Sequence, residues 1–136
     1  MRWAVLGLWV AVEVSGATML ATFVRRGGFH DENISTGYVA PLIGNFSLGT
    51  AAIVPWVIFL ITGIGALAWA SFAQFLATVI IGTVLALPWH RAHRAGQPTP
   101  RSGGAPAWTY HTVVEAGHGL LAWATMALAG VVAASH

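Results

Sequence analysis

The stretch from Val39 to Trp89 reads VAPLIGNFSLGTAAIVPWVIFLITGIGALAWASFAQFLATVIIGTVLALPW and carries no formal charge. A helix needs about 20 apolar residues to span a bilayer, so this stretch is too long for one helix and long enough for two. We predict a turn at 62–65, Thr-Gly-Ile-Gly, because two glycines so close together break a helix. The stretch therefore predicts a hairpin of two transmembrane helices, near 42–62 and 67–87.

The second span has two unusual features. Pro55 lies inside it and removes one backbone donor, which predicts a kink. Three polar residues near its beginning, Asn45, Ser47 and Thr50, predict a helix that starts late or irregularly. Irregular backbone at membrane depth must be covered by protein or line a wet cavity.

Two further apolar segments flank the hairpin. The first runs over 3–24 and has Glu13 as its only charged residue, and the second runs over 111–133. Residues 91–107 are rich in proline, glycine and arginine and predict a solvated linker. A cleavable signal peptide is the competing interpretation of 3–24, but Glu13 interrupts the apolar region and favours a span. We therefore predict an all-α, four-helix transmembrane bundle that forms a single domain over 1–136.

The composition excludes several classes of protein. Hydrophobic side chains make up 57% of the chain and charged ones 7%, with a mean hydropathy of +0.72, whereas about a quarter of the residues in soluble domains carry charge. The chain has no cysteine and no lysine, which excludes thiolate metal sites, iron–sulfur clusters and Schiff-base chemistry. The net charge of +2 is too small for a nucleic-acid surface, so we expect no nucleic-acid partner. Phosphate-binding and hydrolase motifs are also absent from the sequence, and we do not expect an enzyme by itself.

The arginines indicate the orientation of the bundle. Arg2 precedes the first span. The other five arginines lie in the two larger loops, namely Arg25, Arg26, Arg91, Arg94 and Arg101. By the positive-inside rule, loops 25–38 and 90–110 are cytoplasmic and both termini lie outside. We expect a bacterial plasma membrane, with the lipid bilayer and other membrane subunits as partners.

Two polar residues stand out within the first and third spans. Glu13 lies where a charged side chain costs about 2.5–3.5 kcal/mol on insertion scales, so we expect a neutral carboxyl unless a cation or a metal lies beside it. It is either a hydrogen-bonding residue or a proton, metal or ligand site, and the nearby Gly16 allows close approach of another helix. Gln74 shares a face with Ser71 and Thr78, and we predict a buried amide that satisfies Glu13, holds a quinone carbonyl or simply joins two helices.

The fourth span carries a polar stripe. His111, Glu115 and His118 are spaced i, i+4 and i+7, which places them within about 60° on one helical face. Toward the end of the helix the stripe continues through the small residues Gly119, Ala122, Thr125 and Ala129. The opposite side of the helix carries the apolar residues Leu120, Ala127 and Val131. We therefore predict that the polar stripe faces the bundle interior. Residues 115–118 also form a Glu-x-x-His motif. Di-iron bundles use two copies of this motif, and this chain has one.

Two further histidines, at the cytoplasmic end of the third span, extend the candidate site. A b-type haem takes one axial imidazole from each of two helices. The candidate ligands are His111 or His118 in the fourth span and His90 or His93 in the third. Arg91 and Arg94 would then meet the haem propionates.

Two other interpretations of these residues remain open. His111, Glu115 and His118, with or without further imidazoles, suit zinc, copper or iron, and residue types do not choose among them. Alternatively, His90 and His93 face solvent and the polar stripe only hydrogen-bonds across helices.

The sequence favours a small membrane subunit of a larger redox or respiratory complex. Its polar interior resembles what haem b or quinone sites require, and the soluble part of the chain is small. The alternatives are a cofactor-free accessory or assembly subunit, and a membrane protein that binds zinc, copper or iron.

Overall fold

The computed structural model of the chain describes residues 1–25, 36–94 and 110–136, without the side chains of 36–38, 88–90, 92–93 and 110–113. These residues form four α-helices: α1 (Arg2–Arg25), α2 (Thr36–Thr62), α3 (Gly65–Arg94) and α4 (Tyr110–Ala134). Each helix contains a segment long and apolar enough to cross a membrane, namely Arg2–Arg25, Val39–Thr62, Gly65–Leu87 and Val114–Ala134. The predicted all-α chain with four such helices is confirmed.

Two helix boundaries differ from the prediction. α2 begins at Thr36 instead of near 42 and stays helical through Asn45 and Thr50. The Thr50 hydroxyl donates to the Phe46 carbonyl one turn earlier, at 3.0 Å, so this polar residue does not need to leave the helix. α3 continues to Arg94, past the predicted end at 87. The predicted linker is helical over 91–94, and its remainder lies outside the described residues.

The prolines in α2 do not end it. Pro55 lies inside the continuous helix and provides no donor for the carbonyl of the residue four positions earlier. The carbonyl of the residue that follows it, Ala52, accepts a hydrogen bond from Ser71 Oγ of α3 at 2.5 Å. Hydroxyl groups of neighbouring helices commonly satisfy backbone near a proline in this way. The contact also joins α2 to α3.

The turn between α2 and α3 lies where the sequence predicts it. It consists of Gly63 and Ile64, and Gly63 has a φ of 72°. The Gly63 amide donates to the Phe59 carbonyl at 2.8 Å, which closes the end of α2. Such left-handed residues at helix ends are usually glycine, because a Cβ is strained there.

Replacing Gly63 by alanine should lower the free energy of unfolding by about 1–2 kcal/mol, the cost of a Cβ in the left-handed region. Chemical denaturation followed by the helical circular dichroism signal measures this. Gly7→Ala is the matched control, because Gly7 is helical and a Cβ there meets nothing within 4 Å. The control should be neutral or slightly stabilising. Equal changes in both variants would contradict the prediction.

The four helices form a bundle in which each packs against two neighbours. α1 and α3 both pack against α2 and α4, while the backbones of diagonally opposite helices do not come within 8 Å in the described ranges. Trp56 Nε1 near the end of α2 donates to the Arg2 carbonyl, and Gly65 at the start of α3 lies against the His136 backbone. Consecutive helices are therefore antiparallel. Both termini and the α2–α3 turn lie at one end, here called the termini end, and the opposite end is called the loop end.

An aromatic core fills the half of the bundle nearer the termini end. Trp9, Trp56, Phe59 and Phe75 are fully buried. Trp9 stacks on Phe75 with ring centroids 4.0 Å apart, which joins α1 to α3 across the diagonal. Trp9 and Trp56 lie 6.0 Å apart, and Trp56 meets Phe59 edge to face. These side chains position the polar residues that follow them toward the loop end.

Candidate functional site

A layer of polar side chains lies between the aromatic core and the loop end. All four helices contribute to this polar layer, which consists of Glu13, Ser15, Asn45, Thr50, Thr78 and His118. Glu13 lies about 17 Å along α1 from Arg2, near the middle of the helix. The layer therefore lies at mid-depth in the bundle and somewhat toward the loop end.

Glu13 is held between α1 and α2. Thr50 Oγ1 lies 2.9 Å from Glu13 Oε2, and its single proton is shared between that oxygen and the Phe46 carbonyl. The carboxyl also lies against Gly49, where a Cβ would come within 2.5 Å of Glu13 Oε1 and 3.1 Å of Thr78 Cγ2. Gly49 is buried, so the close approach of α2 to this carboxyl and to α3 depends on its missing side chain.

His118 is held between α4 and α1. Its Nδ1 lies 2.7 Å from Ser15 Oγ, and Ser15 Oγ donates to the Val12 carbonyl at 2.8 Å. The tautomer of the His118 ring decides which of Ser15 Oγ and Nδ1 is the donor in this bond. The other edge of the ring lies on Gly16, where a Cβ would be 3.3 Å from His118 Cε1. The predicted role of Gly16 in close helix approach is confirmed.

The predicted inward stripe of α4 is confirmed for the residues whose side chains are described. Ala122, Thr125 and Ala129 are buried, whereas Leu120, Ala127 and Val131 are exposed. Glu115 and His118 are half-buried on the same side as the buried set. His111 lies in the first turn of α4, and its side chain is outside the described residues, as are those of His90 and His93 in α3.

The predicted burial of Gln74 is wrong. Its side chain is exposed, whereas Ser71 and Thr78 of the same predicted face are buried. The buried face of α3 also includes Phe75, and one residue corresponds to a rotation of about 100°, which turns Gln74 out of the core. The partner of Glu13 is Thr50 of α2 instead, a residue that the sequence assigned only to an irregular helix start.

Sequence reasoning also missed Asn45 and Gly49 as members of the site. They are one turn apart on α2, and Gly82 of α3 lies against the Asn45 amide at the same height. Two side-chain atoms in the described residues are inaccessible and have no hydrogen-bond partner, Asn45 Oδ1 and Trp9 Nε1. A polar residue one turn from a glycine, inside an uncharged span, is the signal that could have identified Asn45.

The antiparallel register of α3 and α4 decides which predicted histidine pairs lie at equal height. Gly65 lies against His136, and Gly130 lies against Phe72. Continued along both helices at about 1.5 Å per residue, this pairing would put His118 level with residue 84 and His111 level with Arg91. His111 is thus level with the part of α3 that carries His90 and His93, whereas His118 lies about 9 Å nearer the termini end than His90.

Metal-ligating side chains do not cluster in the part of the chain whose side chains are described. No three His, Cys, Asp or Glu residues come close enough there to hold a metal ion. The predicted metal set of His111, Glu115 and His118 includes one side chain outside that part, and it stays a prediction.

Comparisons with known protein families, with curated proteins and with solved structures find no match to this chain. The described residues form four apolar helices of membrane-spanning length and a layer of polar side chains in which Thr78 is buried, Thr50 is exposed and the others are half-buried.

Proposed function

We propose that the chain is an integral membrane protein and a small subunit of a larger redox or respiratory complex. Its four apolar helices support the membrane location, and so does the low share of each candidate span that the chain itself buries, at most 28%. Large apolar side chains such as Trp3, Ile61 and Leu120 are 67–76% exposed. Surfaces of this kind need lipid or partner subunits to cover them.

In this proposal both termini lie outside a bacterial plasma membrane, and loops 25–38 and 90–110 are cytoplasmic. The arginine distribution supports this orientation through the positive-inside rule. Trp3 and Trp69 are exposed near the termini end, which fits an aromatic belt at the outer membrane surface.

The chemistry we propose is electron transfer through a b-type haem between α3 and α4. The observation that carries it is the antiparallel pairing of Gly65 with His136 and of Phe72 with Gly130, which, continued along α3 and α4, would bring His111 level with His90 and His93. Arg91 and Arg94 are exposed on that turn and suit the two propionates. A bound haem would supply one-electron chemistry at its iron. Membrane quinone is the electron partner we propose, because it dissolves in the same apolar phase.

An absorption spectrum of the protein, purified in mild detergent with its partners, tests the haem. We expect a Soret band and, after dithionite, a reduced α-band. His111→Ala should abolish both bands. His136→Ala is the matched control and should leave them unchanged, because His136 lies at the termini end. His118→Ala should also retain them, since His118 is not level with His90. A featureless spectrum from an intact complex would overturn the haem proposal.

A cofactor-free accessory subunit is the second candidate. The observation that favours it is that polar groups of the layer bond each other within the chain, Ser15 with His118 and Thr50 with Glu13. In that case the spectrum is featureless, partners co-purify in fixed ratio, and His118→Ala and Glu13→Gln leave the activity of the complex unchanged.

A further inference from the structure

We propose that the chain forms a dimer with a second copy of itself. In this dimer the outer face of α3 packs against the same face of the second copy, and the two Gln74 amides bond each other. The proposal rests on the membrane location proposed above and does not depend on the haem. It assigns a function to Gln74, which the polar layer does not use.

Gln74 is an exposed amide near the middle of a candidate span. It lies about 14 Å along α3 from Gly65, in the segment Gly65–Leu87. Its side chain has no hydrogen-bond partner within the described residues, although its backbone carbonyl accepts a bond from Thr78 Oγ1. A polar group that faces hydrocarbon without a partner is costly. The amide therefore needs a polar group from a neighbouring molecule.

Exposed hydroxyl groups in the spans differ from this amide. Thr18, Thr62 and Thr83 each donate to the carbonyl four residues earlier in their own helix, at 2.7–2.8 Å. A threonine can face lipid in this way, because its own helix accepts its proton. The Gln74 amide makes no such bond, so its donors and its acceptor are left for a partner.

Gln74 lies at the centre of a strip of small and apolar residues on the outer face of α3, here called the α3 seam. The seam has the alternating spacing of four and three residues by which two helices pack along their length. Its members are Ala70, Gln74, Ala77, Ile81 and Val84. Ala70, Gln74 and Val84 are exposed, and the other two are half-buried. The alanines on either side of Gln74 allow another backbone to approach closely.

The chemistry of the amide favours a second copy as the partner. An amide carries both donors and an acceptor, so two identical amides satisfy each other. Copies inserted in the same orientation have Gln74 at the same depth, and a two-fold axis along the membrane normal brings equivalent residues together. A different subunit would need a polar side chain of its own at this depth. The seam also carries no charge, so two copies do not repel each other along it.

Cysteine cross-linking in native membranes tests the dimer, because the chain has no cysteine of its own. Ala70→Cys and Val84→Cys lie on the seam on either side of Gln74, and under oxidation each should form a disulfide-linked dimer of twice the monomer mass. Val131→Cys is the matched control for Ala70→Cys. Val131 is exposed on α4 at nearly the same height, by the pairing of Phe72 with Gly130, and this variant should stay monomeric.

Gln74→Leu measures the contribution of the amides in the purified full chain. It should raise the dissociation constant of the dimer about tenfold in sedimentation equilibrium, because two interhelical hydrogen bonds of ordinary strength are lost. Thr18→Val is the matched control, because Thr18 is exposed on α1 and its hydroxyl donates to the Val14 carbonyl of its own helix. It should leave the dissociation constant unchanged.

The dimer is contradicted if neither seam cysteine cross-links, if the cross-linked product has another mass, or if Gln74→Leu dimerises as tightly as the wild type. A carbonate wash of the membranes separates this failure from failure of the membrane location. A chain that stays in the washed membranes without cross-linking overturns the dimer alone. A chain that is washed off overturns the membrane location and the dimer together.

Discussion

Truncation of Trp9 to alanine should lower the free energy of unfolding by about 3–5 kcal/mol. Trp9 is fully buried and stacks on Phe75 across the diagonal between α1 and α3, whose backbones do not approach each other in the described ranges. Its removal leaves a cavity that two helices cannot readily close. In a bundle surrounded by lipid, packing contacts of this kind provide much of the energy of helix association.

The measurement is unfolding of the detergent-solubilised protein, followed by the circular dichroism of the helices. Trp123→Ala is the matched control, because Trp123 is 45% exposed on the outer face of α4. It removes the same side chain without opening a cavity and should change stability by about 0.5 kcal/mol or less. If both variants lose equal stability, the aromatic core does not hold the bundle together as we describe.

Replacement of Gly16 by leucine should cost about 1–3 kcal/mol and should also release His118 from Ser15. A Cβ at Gly16 would already lie 3.3 Å from the imidazole, so a longer side chain must displace the ring or separate α1 from α4. The Ser15–His118 hydrogen bond, 2.7 Å long, is lost in either case and adds about 1 kcal/mol to the cost.

Gly117→Leu controls for the intrinsic effect of replacing a helical glycine. Gly117 lies on α4, and a Cβ there meets nothing within 4 Å. Both substitutions gain the same helix propensity, so the difference between their unfolding free energies measures the contact at Gly16. The position of the His118 ring proton signals in NMR spectra reports release of the imidazole. Equal stability of the two variants, with unchanged His118 signals, would show that α1 and α4 are not in close contact there.

The features that sequence predicted well depend on one helix at a time. The length of the apolar segments predicts the four helices, and the two glycines predict the turn at Gly63. The 3.6-residue period of small and polar residues predicts the inward face of α4. The partner of Glu13 is different, because Thr50 is 37 residues away and its approach depends on how two helices are rotated and aligned. The prediction that Gln74 is buried is wrong for the same reason, because burial depends on how α3 is rotated against its neighbours. The ligand roles of His90, His93 and His111 stay predictions.

The start of α1 and the end of α4 lie at the same end of the bundle, which bears on how a four-helix unit of this kind can be joined to another. His136, which follows α4, packs against Gly65 and Phe59, and Arg2 lies over the same Phe59 ring. Two copies joined head to tail would need only a short connection, and the second copy would keep the orientation of the first. With an odd number of helices, the second copy would be inverted. This architecture is therefore suited to tandem duplication.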